Sequence, residues 1–201
     1  MTIENIFPTK IYNEKIGLPI NLKRDIIKYA YELKMLPSEQ HQLIKNGFSS
    51  FNVHNSVLKE FKVLEDEINE HIKSYLGSVN FNSDLKQFHI ANSWVNIYPT
   101  GSYVSEHLHN GCYLSAVLFL QTPEECGDFY LLDPLEYHKI NSIGKEDTKH
   151  KFKPEEGRFI LFPSYLKHGS LPNESKDDRI ILSLNIKIES KNAQKTKETT
   201  V

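Results

Sequence analysis

Three histidines and one arginine have the types and spacing in this sequence that could do chemistry. His107 and His109 are two residues apart, His168 follows in the segment FPSYLKHGS, and Arg179 comes eleven residues later. In an extended segment residues i and i+2 leave the same face, so two of the histidines can bind one ion and the third can complete the site. Neutral imidazoles suit iron, copper, zinc and nickel, and three protein ligands leave positions open for substrate or oxygen. Because a nearby arginine can bind a carboxylate through two hydrogen bonds, the pattern predicts a metal-dependent oxygenase.

Two predicted strands would position these residues, because side chains alternate between the two faces of a strand. One face of each strand is mostly apolar and should pack on a second layer: Ile180, Leu182, Leu184, Ile186 and Ile188, with Ser93, Val95 and Ile97 on the earlier strand. The opposite face should line a cavity, at least near its Arg179 end: Arg179, Ile181, Ser183, Asn185 and Lys187, with Trp94, Asn96 and Tyr98. We therefore expect polar groups from two strands to converge on one pocket.

Helical periodicity predicts two helices before these strands. The first covers about 21–35, with Asn21 as a candidate N-cap, and the second covers about 56–76, with Gly77 able to take the left-handed C-terminal position. A short strand from Ile6 to Tyr12 should lie at a sheet edge because Pro8 interrupts it. Residues 36–55 lack sustained periodicity and are predicted to form a long loop over the pocket.

From about residue 88 the pattern changes to strands rich in β-branched and aromatic residues and separated by Pro, Gly and Asn. The runs are FHIANSWVNIY, YLSAVLFL, DFYLL, RFILFP and RIILSLNIKI. Helices followed by strands predict an α+β, mainly β fold in which the helices back an antiparallel sheet or barrel. We expect a single domain over 1–189 with a β core over about 88–188, followed by a polar, disordered tail over 190–201.

The amino-acid composition limits the cellular compartments and the binding partners that we expect for this protein. With 24 Lys and Arg against 26 Asp and Glu, the chain has no net positive charge to attract nucleic acid or an acidic membrane. No apolar run approaches the roughly 20 residues of a membrane span, and the N-terminal segment lacks the pattern of a secretion signal. The two cysteines, Cys112 and Cys126, do not suggest a disulfide scaffold. We expect a soluble cytoplasmic protein that binds neither nucleic acid nor membrane.

The stretch from Asn92 to Arg179 resembles the iron(II)- and 2-oxoglutarate-dependent oxygenases, written here as 2OG-Fe(II) oxygenases. The segments NSWVNIYPTGSYVSEHLH, EGRFILFPSYLKHGS and DRIILSLN, with the opening IFPTKIY, are similar to a family of such enzymes in marine bacteria and phages. The resemblance implies a double-stranded β-helix, a jelly-roll or cupin-like barrel backed by two N-terminal helices. It also implies Fe(II), 2-oxoglutarate and O2, release of succinate and CO2, and hydroxylation of a small molecule or a protein side chain.

The resemblance also implies roles for individual residues. His107, His109 and His168 would be the metal ligands. Arg179 would bind the distal carboxylate of 2-oxoglutarate with help from Ser183, and Asn96 and Tyr98 would contact the same co-substrate, as similarly placed residues do in prolyl hydroxylases and in repair dioxygenases.

Two positions depart from the family's pattern. His109 stands where an aspartate or glutamate is usual, so a site of three neutral ligands would be one negative charge short and should bind Fe(II) more weakly. Phe119 lies about where prolyl hydroxylases offer a tyrosine hydroxyl to the co-substrate. Tyr113 or Tyr103 could supply the missing hydrogen bond.

Alternative interpretations stay open from the sequence. Arg179 could pair with Asp177 or Asp178 at a strand end. The protein could be a three-histidine, cupin-like dioxygenase that needs no 2-oxoglutarate, or a β-helix protein that binds a metal or small molecule without turnover. Loops over 36–55 and 135–155 are expected to frame the pocket mouth. Other residues are assigned to the surface or to ordinary packing: His41, His54, His71, His89, His138, His150, Trp94, Phe159, Phe162 and Tyr165.

Overall fold

The computed structural model of the chain describes residues 2, 4, 8–135 and 148–191. Eleven strands follow in chain order: β1 Tyr12–Lys15, β2 Ile44–Lys45, β3 Phe48–Ser49, β4 Lys86–Tyr98, β5 Tyr103–Val104, β6 Leu114–Gln121, β7 Phe129–Leu132, β8 Lys149–Phe152, β9 Arg158–Pro163, β10 His168–Ser170 and β11 Arg179–Ser190. Two α-helices, α1 Ile20–Lys34 and α2 Lys62–Ser78, and two short 3-10 helices, Ser50–Asn52 and Val57–Glu60, complete the described elements.

The strands form one large sheet and two small ones, all antiparallel within the named strands. The large sheet has the order β1-β9-β6-β11-β4-β3, while β10-β7-β8 and β2-β5 form the small sheets. At the centre, β11 pairs with β4 on one side and with β6 on the other. The predicted mainly β, antiparallel double-stranded β-helix backed by two helices is therefore confirmed.

Two hydrophobic cores lie on opposite faces of the large sheet. The first joins the sheet to the helices and includes the predicted apolar faces of β4 and β11: Val95, Ile97, Ile180, Leu182, Leu184 and Ile186. The second lies between the large and small sheets and includes Tyr98, Val117, Phe119, Phe129, Ile160, Phe162 and Ile181. Each central strand thus contributes one face to the helix-side core and the other to the barrel interior.

The second helix begins later than its apolar stripe suggests. Residues 57–60 form a 3-10 helix, and Phe61 (φ −126°, ψ 65°) separates it from α2. The cause is tertiary: the Leu58 backbone N–H donates to Ser93 Oγ at 2.8 Å, and the Ser93 N–H donates to Asn55 O at 2.8 Å. These bonds hold the chain against β4 and compete with a continuous helix.

Four boundaries predicted from the sequence were wrong. Pro19, not Asn21, caps α1, and its carbonyl accepts from Lys23 N–H at 3.0 Å. Gly77 lies inside α2, and Asn80 takes the positive φ of 56° beyond its end. The first described strand covers 12–15, at the sheet edge as expected, while Ile6 and Phe7 lie outside the described residues. Ser190, assigned to the tail, is the last residue of β11, and 192–201 lie outside the described part.

No helix within the described residues is both long enough and apolar enough to cross a lipid bilayer.

Candidate metal centre and co-substrate pocket

The three histidines identified from the sequence converge inside the barrel. His107, His109 and His168 each offer a ring nitrogen, and these atoms all lie within 4.8 Å of one another. The backbones of His107 and His168 form an antiparallel bridge, with N–H to carbonyl distances of 3.0 and 2.9 Å. His109 N–H donates to Ser164 O at 3.2 Å. Backbone hydrogen bonds therefore fix the positions from which all three rings meet.

Hydrogen bonds also select the ring nitrogens that face one another. His107 Nδ1 lies 2.8 Å from Ser105 O, and His168 Nδ1 lies 3.0 Å from Leu166 O. A carbonyl can only accept, so each Nδ1 carries the hydrogen and each Nε2 keeps a lone pair. Two candidate ligand atoms, Nε2 of His107 and Nε2 of His168, are thus held in the protonation state that a metal requires.

Burial keeps the three imidazoles neutral. It is the main cause of the lowered pKa of His107, and it lowers the pKa of His168 well below the ordinary 6.5. Burial, together with His107 and His41, lowers the pKa of His109 to about 4. Since the neutral ring is the form that ligates a metal, the site is ready to bind one at neutral pH without releasing a proton.

His109 has its own supporting contacts. Its ring stacks on Trp94 with centroids 5.9 Å apart, and its side chain hydrogen-bonds Asn185. Ser115 Oγ donates to Asn185 Oδ1 at 3.3 Å and lies 2.8 Å from Ser164 Oγ. These polar contacts hold Asn185 in place, and Asn185 in turn orients the His109 ring.

No carboxylate belongs to the histidine cluster among the residues that the structure describes. Glu106 precedes His107 in sequence but forms an ion pair with Lys149 at 2.9 Å and accepts from the Tyr130 hydroxyl at 3.2 Å. Lys149 is accordingly the main cause of the lowered pKa of Glu106. The candidate metal ligands among the described residues are therefore three neutral imidazoles.

Arg179 is 2% exposed and lies in a cradle of oxygen acceptors. Its Nη1 donates to the carbonyls of Cys126 at 2.6 Å and Gly127 at 2.8 Å, with a longer contact to Leu171 O at 3.3 Å, and its Nη2 donates to Ser170 Oγ at 2.8 Å. Burial lowers its pKa.

The alternative pairing of Arg179 with Asp177 or Asp178 does not occur. Asp178 instead accepts from the Tyr31 hydroxyl at 2.7 Å. Among the described residues, the guanidinium has carbonyl and hydroxyl partners but no carboxylate within ion-pairing distance.

The remaining predicted co-substrate residues line the same cavity. Asn96 Nδ2 donates to Ser183 Oγ at 3.1 Å, while the buried Asn96 Oδ1 has no hydrogen-bond partner among the described residues. The Arg179 guanidinium carbon lies 4.4 Å from the centroid of the Tyr98 ring. Burial raises the pKa of Tyr98 to about 12, so this hydroxyl stays protonated and can donate a hydrogen bond.

The cavity has a volume of about 230 Å³ and is lined by all seven predicted site residues: Asn96, Tyr98, His107, His109, His168, Arg179 and Ser183.

Phe119 also lines the cavity, as its position predicts, but Tyr113 and Tyr103 do not. Since neither tyrosine lines the cavity, and Tyr113 is 58% exposed, the suggestion that one of them replaces the missing hydroxyl was wrong. Lys187 also lies outside the lining, because it is beyond the site end of β11.

Sequence reasoning missed part of the cavity wall. His41, Phe51 and Trp94 line the cavity. Trp94 is on the strand face that was predicted to line it but was assigned to packing, and His41 was assigned to the surface or to packing. Of the other aromatic residues, Phe159 is core as expected, Phe162 faces the cavity and Tyr165 is 60% exposed. One sequence signal did indicate this part of the wall. The polar segment 36–55, which contains His41 and Phe51, was predicted to form a long loop over the pocket. From 135–155, by contrast, no described residue lines the cavity, and 136–147, with His138, lie outside the described part.

A comparison with protein families matches residues 92–185 to the family described as "Putative 2OG-Fe(II) oxygenase". This range contains all seven predicted site residues. Among curated protein sequences, no significant match was found.

Solved structures show the same fold at low sequence identity. A prolyl hydroxylase from Trichoplax adhaerens, in complex with a peptide fragment of hypoxia inducible factor, has a TM-score of 0.60 at 14% identity, covering 95% of this chain and 87% of that one. HygX from Streptomyces hygroscopicus, with nickel and 2-oxoglutarate bound, has a TM-score of 0.57 at 13% identity, with 89% and 83% covered. A prolyl-4-hydroxylase from Pseudomonas putida has a TM-score of 0.54 at 17% identity, with 89% and 92% covered.

The match over 92–185 covers the three converging histidines and Arg179, and the fold agrees with it. Over these 94 of its 201 residues, the chain is similar to the family described as "Putative 2OG-Fe(II) oxygenase".

Proposed function

We propose that this protein is an Fe(II)- and 2-oxoglutarate-dependent oxygenase. One observation carries the proposal: three convergent imidazoles line the same small cavity as a buried arginine that has no carboxylate partner among the described residues. A metal site and an anion site side by side are what a reaction between a metal and a carboxylate co-substrate requires.

The donor set fits a first-row divalent metal. His107, His109 and His168 would hold Fe(II) through neutral ring nitrogens, and three protein ligands leave positions for 2-oxoglutarate and O2. When bound, the iron supplies the oxidative chemistry that converts 2-oxoglutarate and O2 to succinate and CO2 and oxidises the substrate. The protein's part is to hold the ligands neutral, to orient His109 through Asn185 and to limit water in the cavity.

The pocket beside the histidines fits a dicarboxylate. A guanidinium has five N–H groups, and the bonds of the described residues involve only Nη1 and Nη2 of Arg179. Its Nε–H and one hydrogen of Nη2 are left to bind a carboxylate in the fork geometry. Ser183 and Tyr98 offer hydroxyl groups. Asn96 Nδ2 donates to Ser183 Oγ, but half a turn of the Asn96 amide would let Ser183 donate to Oδ1 instead. The unpaired oxygen then gains its bond, and Nδ2 becomes available to the co-substrate.

More specifically, we propose that the protein catalyses hydroxylation of a small molecule or of a protein side chain. Hydroxylation is the commonest outcome that the family resemblance implies, and three solved structures with this fold include two prolyl hydroxylases and HygX. We place the protein in the reducing cytoplasm, which agrees with two free cysteines, Cys112 and Cys126, in the described chain.

The absence of a carboxylate from the described ligand cluster favours one alternative: a three-histidine dioxygenase that needs no 2-oxoglutarate. In that case Arg179 would bind a carboxylate of the substrate itself. Formation of succinate from 2-oxoglutarate separates the two mechanisms, because only the leading proposal consumes the co-substrate.

The deciding experiment adds Fe(II) and 2-oxoglutarate to purified protein under anaerobic conditions. We expect a weak visible absorption band that needs both additions, followed by succinate formation when O2 is admitted. A protein that binds both but forms no succinate, even with candidate substrates, would instead be a binding protein. Lack of the band with intact, iron-loaded protein would contradict the proposal.

Variants assign the band to the site. His168→Ala should abolish it by removing a ligand, whereas His89→Ala should leave it intact, because His89 is an exposed histidine on β4 outside the cavity. Equal behaviour of the two variants would show that the histidine cluster is not the metal site.

A further inference from the structure

A row of aromatic rings leads from the segment before β2 to the metal-site histidines. His41 and Phe51 meet edge-on with ring centroids 6.0 Å apart, and Phe51 and Trp94 meet edge-on at 5.0 Å. Trp94 then stacks on His109 at 5.9 Å. His41, Phe51 and Trp94, here called the aromatic wall, all line the cavity and reach the candidate ligand His109 through Trp94.

The lining of the cavity is almost free of charged side chains. Among its described residues Arg179 is the one Lys, Arg, Asp or Glu, and the co-substrate would neutralise it in the proposed function. Apolar residues that are close to His41 or His109 in sequence, or that pair with such a residue, also line the cavity: Leu43, Ile44, Val104 and Leu108. A charged group held against the aromatic wall would lose its water and meet no oppositely charged side chain among the described lining residues, which is costly.

The cavity is also small. Its volume of about 230 Å³ lies below the usual range for ligand pockets, roughly 300–1,000 Å³. The same space must hold 2-oxoglutarate, so only a small part of a substrate can reach the histidines. The rest of the substrate would stay outside the cavity mouth.

We propose that the aromatic wall is the substrate subsite, and that it takes one small, uncharged, largely apolar group, such as a hydrocarbon ring or a branched aliphatic side chain. The inference rests on the proposed function, because it assumes that 2-oxoglutarate occupies the Arg179 end. It excludes substrates that place an ammonium, guanidinium or carboxylate group against the aromatic wall.

The sequence provides its own probe, since Trp94 is the single tryptophan of the chain. Its fluorescence reports contacts at the wall without any turnover. The protein is first loaded with Zn(II), which undergoes no redox chemistry, and with 2-oxoglutarate, and both binding steps are measured by calorimetry. Benzyl alcohol, benzoate and benzylamine are then titrated at pH 7, because they share one ring and differ in charge.

We expect benzyl alcohol to change Trp94 fluorescence and to bind at least ten-fold more tightly than either charged probe. Equal or tighter binding of benzoate or benzylamine would overturn the inference. So would the absence of any fluorescence change up to the solubility limit of all three probes.

Matched variants test the position of the subsite. Phe51 and Phe88 are both partly buried, but Phe51 lines the cavity whereas Phe88 packs on the helix-side core. Phe51→Ala should weaken benzyl alcohol about five-fold or more, the scale of one lost ring contact, and Phe88→Ala should not. If Phe51→Ala fails to fold, Phe51→Leu keeps most of the volume and should still weaken the probe. Unchanged affinity in the folded variant would place the subsite elsewhere.

Measuring Zn(II) and 2-oxoglutarate binding first distinguishes a failure of the subsite inference from a failure of the proposed function. If Zn(II) and 2-oxoglutarate bind but the probes show no preference for the neutral ring, the subsite inference fails and the proposed function stands. If neither loads while benzyl alcohol still binds at Trp94, the wall is a binding site and the proposed function fails.

Discussion

Arg179 and Tyr98 lie directly opposite each other on β11 and β4, and the guanidinium carbon is 4.4 Å from the centroid of the tyrosine ring. The ring covers one face of the guanidinium while backbone carbonyls and Ser170 occupy part of its edge. A cation over an aromatic face is stabilised without using its hydrogen-bond donors. The arginine can therefore stay charged in a buried place and still have donors left for a ligand.

Replacing Arg179 by glutamine should weaken 2-oxoglutarate binding. Loss of a charge-assisted, fork-shaped contact in a buried pocket costs about 2 to 5 kcal/mol, equivalent to at least about 30-fold in affinity. Metal affinity should change little, because Arg179 is not part of the histidine cluster. Calorimetry measures metal binding to the metal-free protein and 2-oxoglutarate binding to the metal-loaded protein.

Arg158→Gln is the matched control for that variant. Arg158 is also on a strand, β9, and bonds Lys153 O and Glu155, but it lies outside the cavity. Its replacement should leave 2-oxoglutarate affinity unchanged. If Arg179→Gln behaved like Arg158→Gln, Arg179 would not bind the co-substrate.

His109→Asp should strengthen Fe(II) binding by restoring the negative charge that the ligand set lacks. A carboxylate a few ångströms from a divalent cation is favourable even at high effective dielectric, so we expect about ten-fold or more. The measurement is Fe(II) affinity by anaerobic competition with a chelator. His41→Asp puts the same charge on the cavity wall outside the cluster and should have a smaller effect; an equal gain would mean that residue 109 is not a ligand.

The metal-free protein should lose stability in acid because of its buried histidines. At pH 7 these rings are neutral in both folded and unfolded chains, so they impose no pH dependence there. Below the unfolded value of 6.5 the unfolded chain takes up protons first, and for His109 the loss is complete near its folded pKa of about 4. Thermal unfolding between pH 7 and 4 should show a shallower fall for His109→Gln than for the unaltered protein. Parallel curves would contradict this assignment.

Gly127→Ala should damage the cradle of Arg179. Gly127 has φ +81°, and an added Cβ would collide with Pro172 O and lie 2.5 Å from Leu171 O. Strain of this kind costs about 1 to 3 kcal/mol and would displace the carbonyl that accepts from Nη1. We expect a lower unfolding temperature and weaker 2-oxoglutarate binding with normal metal affinity. Gly17→Ala, where an added Cβ meets nothing within 4 Å, should change neither quantity.

The sequence predicted those elements of the fold in which apolar and polar side chains alternate at a regular period. The alternation in β4 and β11 correctly separated Val95 and Ile180, which face the helices, from Asn96 and Arg179, which face the cavity. Short strands such as β2 and β10 escaped prediction because two or three residues show no period. The 3-10 helix before α2 escaped because a bond to Ser93, 35 residues away, decides it.

For the site, types and spacing were enough to name the residues that meet in the cavity, but not the walls around them. Trp94 was assigned to packing because aromatic residues on strands most often serve that purpose. His41 carries no local motif, and only its approach to Phe51 reveals its place. Contacts between distant segments leave no periodic trace in a sequence, so they could not be predicted from it.

The backbone bridge between His107 and His168 has a consequence for how the protein would acquire its metal. Two of the three imidazoles are on residues that pair through two backbone hydrogen bonds, and these bonds require no ion, so folding alone sets their separation. The protein should therefore be able to release and reload its cation with a chelator at neutral pH while keeping its native shape, unlike small zinc domains that collapse when stripped.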